Sequence, residues 1–354
     1  MRIDFTYKAP DYKEIFDAYN ININEALFFD IETTGFSADT SSLYMVGASY
    51  YDTDKSEYVG IQWFAESKDK VKSILSDFLS FANEYSTLIH YNGDTFDIPY
   101  LRATAKKCEL EFNLDRLRSI DVYKEVKRFK SILGLDNVKL KTVEQFMGLN
   151  RNDKYSGGDL INVYKEYLKD NDDAKKDLLL LHNHDDIIGL TKIIPILSYP
   201  VFFNSSPKVV DIKNTGSHIE FTLETNLLKD ITFEKDDIIY SLNQKSGTIR
   251  VPRYEGVLKF FFDNYKDYYY LPLEDKAIHK SVAAFVDKEY RENAKKSNCY
   301  TKEEGVFLPN PGGYISPCFK IDYSDKRCFF KENTDILENY EYAGEYVGKL
   351  LQEK

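Results

Sequence analysis

The chain has 354 residues, with 47 Lys and Arg against 58 Asp and Glu, a net charge of −11, and 43% hydrophobic residues. That balance is globular and allows roughly two domains of about 150 residues each, while the acidic total speaks against a protein that coats nucleic acid through a general basic surface. The start, M-R-I-D-F-T-Y-K-A-P, lacks the apolar core of a signal peptide. The most apolar late stretch, 187–203, is broken by Lys192, Pro195 and Pro200, short of the ~20 apolar residues that span a bilayer. The expectation is a cytoplasmic protein with no membrane partner. Cys108, Cys299, Cys318 and Cys328 form no C-x-x-C pair, which favours free thiols over structural zinc.

In chain order, a short helix is expected around Tyr12–Ala18. The run A-L-F-F-D-I-E-T-T-G-F from Ala26 to Phe36 then reads as a buried strand ending in a glycine turn. Its acids, Asp30 and Glu32, are two apart and so share one face of the strand. Two like charges on an apolar element are costly unless a cation neutralises them, so the pair points to a hard metal ion. Leu43–Tyr51 and Glu57–Phe64 are expected to continue as an antiparallel meander. Lys70–Tyr85 places Val71, Ile74, Leu75, Phe78, Leu79 and Ala82 at helical spacing.

The next strand, Thr87–Tyr91, runs into N-G-D-T-F-D, and Ile98–Cys108 reads as a helix that tolerates Pro99 in its first turn. Asp97 therefore stands where a strand gives way to a helix. Ser119–Val122 reads as a last short strand, followed by a helix over Val122–Leu133. From Lys124 to Lys141 there are six basic residues against two acids, a local positive stretch that suits either a solvated face or a phosphate path. Asp159–Leu168 and Ala174–Leu197 are helical by pattern. In the second of these, His182 and Asp186 lie four apart on one face.

The three acidic stretches resemble the exonuclease motifs of the DEDD family of 3'-5' exonucleases, the DnaQ-like branch of the ribonuclease-H-like superfamily. Asp30 and Glu32 in D-I-E-T-T-G match its first motif, Asp97 in N-x-x-x-F-D its second, and Asp186 in H-x-x-x-D its third. The tract K-L-K-T-V-E-Q-F-M-G-L-N-R, followed by Gly157-Gly158, is similar to a bacterial YprB-like subgroup. The third motif is usually Tyr-x-x-x-Asp or His-x-x-x-x-Asp, so His182 stands at the tyrosine's spacing. Asp185 is an alternative fourth acid.

The resemblance covers about residues 20–200. It implies a ribonuclease-H-like mixed α/β sheet flanked by helices over residues 1–203, while the strand and helix patterns of residues 204–354 read as a second, α+β domain. It implies two divalent ions, Mg2+ or Mn2+, held by Asp30, Glu32, Asp97 and Asp186, with His182 as a proton acceptor. A nucleic-acid substrate, a single-stranded end or loop, follows as partner. Thr33, Thr34 and Asn92 are candidate contacts to the terminal nucleotide, Phe36 and Phe96 are available for stacking, and Lys141 and Arg151 for phosphates. A structure-selective endonuclease, or a silent nucleic-acid-binding scaffold, are the alternatives.

The second half holds no motif tied to chemistry. Strands are expected at Val209–Thr222, Ile238–Leu242, Gly247–Arg253, Gly256–Phe262 and Tyr268–Leu271, and helices at Lys280–Ala294 and Asn333–Leu351.

Overall fold

The computed structural model describes residues 1–149, 155 and 157–353. The chain divides into two units, Met1–Val201 and Phe202–Lys354. In the first, strands β1 (Arg2–Tyr7), β2 (Ala26–Thr33), β3 (Leu43–Asp52), β4 (Glu57–Phe64), β5 (Thr87–His90) and β6 (Arg118–Asp121) form one sheet in the order β1-β4-β3-β2-β5-β6. The β1–β4, β4–β3 and β3–β2 pairs are antiparallel, whereas β2–β5 and β5–β6 are parallel. The result is a mixed sheet, as expected, with β1 as an additional edge strand beside β4.

Alternation along β2 sorts its side chains. Leu27, Phe29 and Ile31 enter a core shared with Ile74, Leu75 and Phe78 of helix α2. In chain order the helices are α1 (Lys13–Ala18), α2 (Val71–Ala82), α3 (Asp97–Lys107), α4 (Val122–Lys127), α5 (Leu140–Phe146), α6 (Gly157–Asp170) and α7 (Asp173–Lys192). On the other face, Phe28 meets Phe16 of α1 with ring centroids 6.5 Å apart, and Asp30 and Glu32 follow it at the same period.

Helix α7 is fixed to that second face by polar contacts as well as by packing. The Tyr7 hydroxyl of β1 lies 2.8 Å from Ser49 Oγ on β3 and 2.7 Å from Thr191 Oγ1 on α7. Tyr44 of β3 stacks on Tyr164 of α6 at 4.4 Å, inside a cluster that also takes in Leu179 of α7. The apolar run ends as a helix near Pro195, where a 3-10 turn, Ile194–Leu197, replaces the longer helix expected. The span Asp173–Phe203 is long and apolar enough to cross a membrane by length and composition, but 67% of its most apolar window is buried within the chain, which is also what a core helix shows. A short helix, α8 (Ser198–Phe203), carries the chain across the unit boundary.

The second unit is mostly antiparallel sheet. Its five-stranded sheet contains β7 (Val209–Asn214), β8 (His218–Glu224), β9 (Ile231–Lys235), β10 (Ile238–Leu242) and β11 (Ser246–Pro252). Two three-stranded sheets follow, one built from β12 (Tyr254–Phe261), β16 (Tyr300–Pro309) and β17 (Phe329–Lys331), the other from β13 (Tyr268–Leu271), β14 (Lys276–His279) and β15 (Glu292–Asn293). The strand expected over Val209–Thr222 is a hairpin that turns at Gly216, whose φ of 87° suits glycine. The helix expected over Lys280–Ala294 is absent. Val282 and Phe285 there are exposed rather than aligned on one buried stripe, and the segment forms 3-10 turns and the short β15. The terminal helix is broken at Asn339 into α9 (Thr334–Glu338) and α10 (Tyr340–Gln352), because the Asn339 side chain accepts the N–H groups of Glu341 and Tyr342 and caps the second helix.

Candidate active site

The site begins with a mismatch in strand length. Parallel pairing between β2 and β5 covers only Ala26–Phe28, so β2 runs on past its neighbour while its other edge stays paired with β3, Asp30 opposite Gly47 and Glu32 opposite Met45. The N–H of Ile31 therefore needs a partner from elsewhere. Asp97, the first residue of α3, provides it, its Oδ1 accepting that N–H at 3.2 Å. A helix N-terminus is a favourable place for a carboxylate, and this one is set between the two acids of the strand.

The loop that delivers Asp97 is braced from within. Asn92 adopts φ 65°, its N–H donates to Asp121 Oδ1 at 2.8 Å, and its side-chain oxygen accepts from the Thr95 hydroxyl at 2.8 Å. His90 Nδ1 accepts the Gly93 N–H at 3.0 Å, which puts the ring proton on Nε2, 2.7 Å from Ser119 Oγ. Burial holds the His90 pKa below its ordinary value. His90, Asp94 and Asp121 have ligand atoms close enough to hold a metal ion. Lys124 already contacts Asp94 at 2.6 Å, so we read this group as the brace of the loop.

From the opposite side, α7 presents His182 and Asp186 one turn apart. His182 Nε2 lies 3.5 Å from Glu32 Oε1 and 3.4 Å from Asp186 Oδ2. The ligand atoms of Glu32, His182 and Asp186 all fall within 4.8 Å of one another. Asp185 lies against its neighbour His184, with Nδ1 and Oδ1 3.4 Å apart, and Asp186 is the member of the pair that joins this group.

The electrostatics follow from burial. Glu32 is raised to about 7 chiefly by desolvation, with Asp186 and Asp97 adding to the rise and His182 and the Tyr44 hydroxyl opposing it. Asp97 is also raised to about 7, again by burial first, with the hydrogen bonds from its own and the Ile31 backbone N–H working against the rise. Tyr44 keeps its proton, since burial and the nearby carboxylates raise its pKa, and it donates to Glu32 Oε2 at 3.2 Å. Carboxylates that burial, and secondarily one another, hold protonated near neutrality would be neutralised by a cation, and their oxygens are the donors that hard divalent cations prefer. The residues therefore fit such ions.

Around the acids, the structure gives the other sequence candidates different duties. Thr33 Oγ1 donates to the Gly35 carbonyl at 2.8 Å and Thr34 Oγ1 accepts the Ser42 N–H at 2.9 Å, so both threonines brace the turn after β2. Phe36 is 94% exposed, and its ring stands edge-on to half-buried Phe96 at 6.2 Å. Lys141 is exposed on α5. Arg151 lies outside the described residues.

Sequence reasoning missed the polar residues behind the acids. Tyr44 holds Glu32, and Asn183, fully buried on α7, donates from Nδ2 to Asp30 Oδ2 at 3.3 Å. Gln62 in turn donates to Asn183 Oδ1 at 3.0 Å. A lone glutamine inside the apolar strand E-Y-V-G-I-Q-W-F, and an asparagine beside His182, were the available signals.

A family model described as the RNase_H superfamily matches residues 27–198. Among solved structures, the chain is similar to a family B DNA polymerase from the hyperthermophilic archaeon Pyrobaculum calidifontis, at 19% identity and TM-score 0.38, over 67% of this chain and 34% of that one. It is similar to an ExoI/SSB-Ct complex at 11% identity and TM-score 0.30, over 62% of this chain and 55% of that one. A product-bound exonuclease I at 1.5 Å resolution matches at 10% identity and TM-score 0.31, over 62% of this chain and 58% of that one. The chain thus spans between about a third and three-fifths of the length of these proteins. No curated protein matches. Mixed sheet, flanking helices and family match together identify the ribonuclease-H-like fold in the first unit.

Proposed function

We propose that the protein is a metal-dependent nuclease of the DEDD kind, similar to the YprB-like subgroup, that hydrolyses DNA or RNA from the 3' end. The observation that supports this reading is that the ligand atoms of Glu32, His182 and Asp186 lie within 4.8 Å of one another, while Asp97, at the start of α3, accepts the N–H of Ile31 between Asp30 and Glu32, where β2 outruns β5. Asp30, Glu32, Asp97 and Asp186 would hold two Mg2+ or Mn2+ ions, whose chemistry is to activate water and to stabilise negative charge on the phosphodiester.

The chain's own residues account for the rest. Imidazole exchanges protons near neutral pH, and His182 Nε2 faces the acids, so His182 is the group to take a proton from the attacking water. Glu32 and Asp97 must be deprotonated to bind cations, which couples activity to pH around neutrality. The exposed ring of Phe36, steadied by Phe96, offers a stacking surface for a terminal base. Thr33, Thr34 and Asn92 shape the loops on which a terminal nucleotide would rest, and Lys141 and Arg151 are assigned to phosphates.

The test is incubation with 5'-labelled single- and double-stranded DNA and RNA in Mg2+, Mn2+ or EDTA. A ladder of products shortened from the 3' end, absent in EDTA, is the expected result. A discrete internal cut would make the protein an endonuclease on the same fold. Binding without cleavage in either metal would make it a nucleic-acid-binding scaffold.

A further inference from the structure

Behind Asp30 lies a row of buried amides whose polarity is set from one end. Gln62 Nε2 on β4 lies 2.8 Å from the backbone carbonyl of Leu180 on α7, an oxygen that can only accept. The side-chain atom there must therefore be the nitrogen. The same nitrogen donates to Asn183 Oδ1 at 3.0 Å, which leaves the NH2 end of Asn183 facing Asp30 Oδ2 at 3.3 Å. Neither amide is free to turn over, because the flipped Gln62 would set oxygen against oxygen at Leu180. Asn183 is fully buried and Gln62 is 2% exposed, so water does not compete for these bonds.

The row needs an opening in the sheet. Gly47 stands opposite Asp30 on β3, and a Cβ at that position would overlap the Asn183 amide. Gly47 thus makes the space that lets a side chain from α7 reach the carboxylate on β2. Its neighbours Ala48, Val46 and Met45 are all larger and buried.

We infer that Asn183, held by Gln62 in the gap left by Gly47, is a positioning residue that sets the rotamer of Asp30 for cation binding, an inference that rests on the metal site proposed above. A carboxylate that accepts a directed N–H on one oxygen presents its remaining lone pairs in one arrangement, and such outer partners commonly carry 10- to 100-fold of a metal site's affinity. The role is distinct from packing, because it acts through a hydrogen bond of fixed polarity.

The experiment is calorimetric titration of the full chain with MnCl2 at pH 8, alongside melting temperatures in EDTA and steady-state cleavage rates in Mn2+, for wild type, Asn183→Leu, Gln62→Leu and the double variant. Asn183→Leu keeps the volume and removes the donor; it should weaken Mn2+ binding about 10-fold and lower kcat with KM little changed. Gln62→Leu, which does not touch Asp30, should weaken binding in the same direction, and the double variant should be no weaker than Asn183→Leu. Folded Asn183→Leu protein that binds Mn2+ as wild type does would overturn the inference and leave the functional reading standing. Wild-type protein that binds no Mn2+ would overturn the functional reading itself. If Asn183→Leu does not fold, Gly47→Ala and Asn183→Ser decide: weaker Mn2+ binding by the folded variants supports the role, and wild-type binding overturns it.

Discussion

Asp97 Oδ1 accepts the backbone N–H of Ile31, the residue between Asp30 and Glu32, at 3.2 Å. One hydrogen bond thus satisfies the end of a strand that has lost its neighbour and brings the acid from α3 to the pair on β2.

This double duty separates two substitutions. Asp97→Asn keeps an oxygen for the Ile31 N–H and removes the charge, so it should preserve folding and abolish metal-dependent cleavage by at least about 10²-fold. Asp97→Ala also leaves that N–H without its acceptor, an additional cost of about 1–3 kcal/mol in stability. Urea unfolding of both variants, read beside the cleavage assay, checks the ordering; an asparagine variant with native activity would refute the role of Asp97.

The raised acids make a prediction about stability without metal. Glu32 and Asp97 ordinarily titrate near 4.5 and 3.8 and are raised to about 7 in the folded chain. Between those values the folded state binds more protons than the unfolded state, so stability from these groups falls as pH rises and levels off above about 7. In EDTA the melting temperature should therefore be lower at pH 8 than at pH 6. Mn2+ should restore more stability at pH 8, where the acids bind it without first losing protons. Equal melting temperatures at both pH values in EDTA, with equal shifts on adding Mn2+, would contradict this account.

His182→Ala should slow cleavage by about 10²-fold or more while leaving Mn2+ affinity close to native, if proton transfer is its task. His182→Tyr, which installs the residue usual at this spacing, should retain more activity than the alanine variant. Steady-state rates for the two variants across pH 6 to 9 measure this, and equal, near-native rates in both would reduce His182 to a packing residue.

Phe36 is 94% exposed, with only the edge-on ring of Phe96 as its aromatic neighbour among the described residues. Phe36→Ala should raise KM for single-stranded substrate about 10-fold, within the 1–3 kcal/mol range of base stacking, and leave the melting temperature unchanged. An unchanged KM would remove Phe36 from the substrate path.

What could be read in the sequence, and what could not, divides along physical lines. Period-two alternation exposed Asp30 and Glu32 as neighbours on one face, and the four-residue spacing of His182 and Asp186 put them on one turn of α7. These are local relations. The partnership of Asn183 with Gln62 joins residues 121 apart, and the seat it needs depends on Gly47 in a third strand, so no local period reveals it. Strand β1 has no local hairpin partner in the sequence although R-I-D-F-T-Y alternates, because it pairs with the distant β4 and its Phe5 and Tyr7 meet α7. The helix expected over Lys280–Ala294 failed because propensity there is not joined to a buried apolar stripe.

The central claim is that Asp30, Glu32, Asp97 and Asp186 act as one cation site. It is tested most directly by titrating the full chain with MnCl2 at pH 8 and counting ions bound, in wild type and in Asp30→Asn protein of the same fold. The account predicts two Mn2+ per wild-type chain and a large loss of binding in the variant. A wild-type chain that binds none, or a variant that binds the same number as tightly, would contradict it.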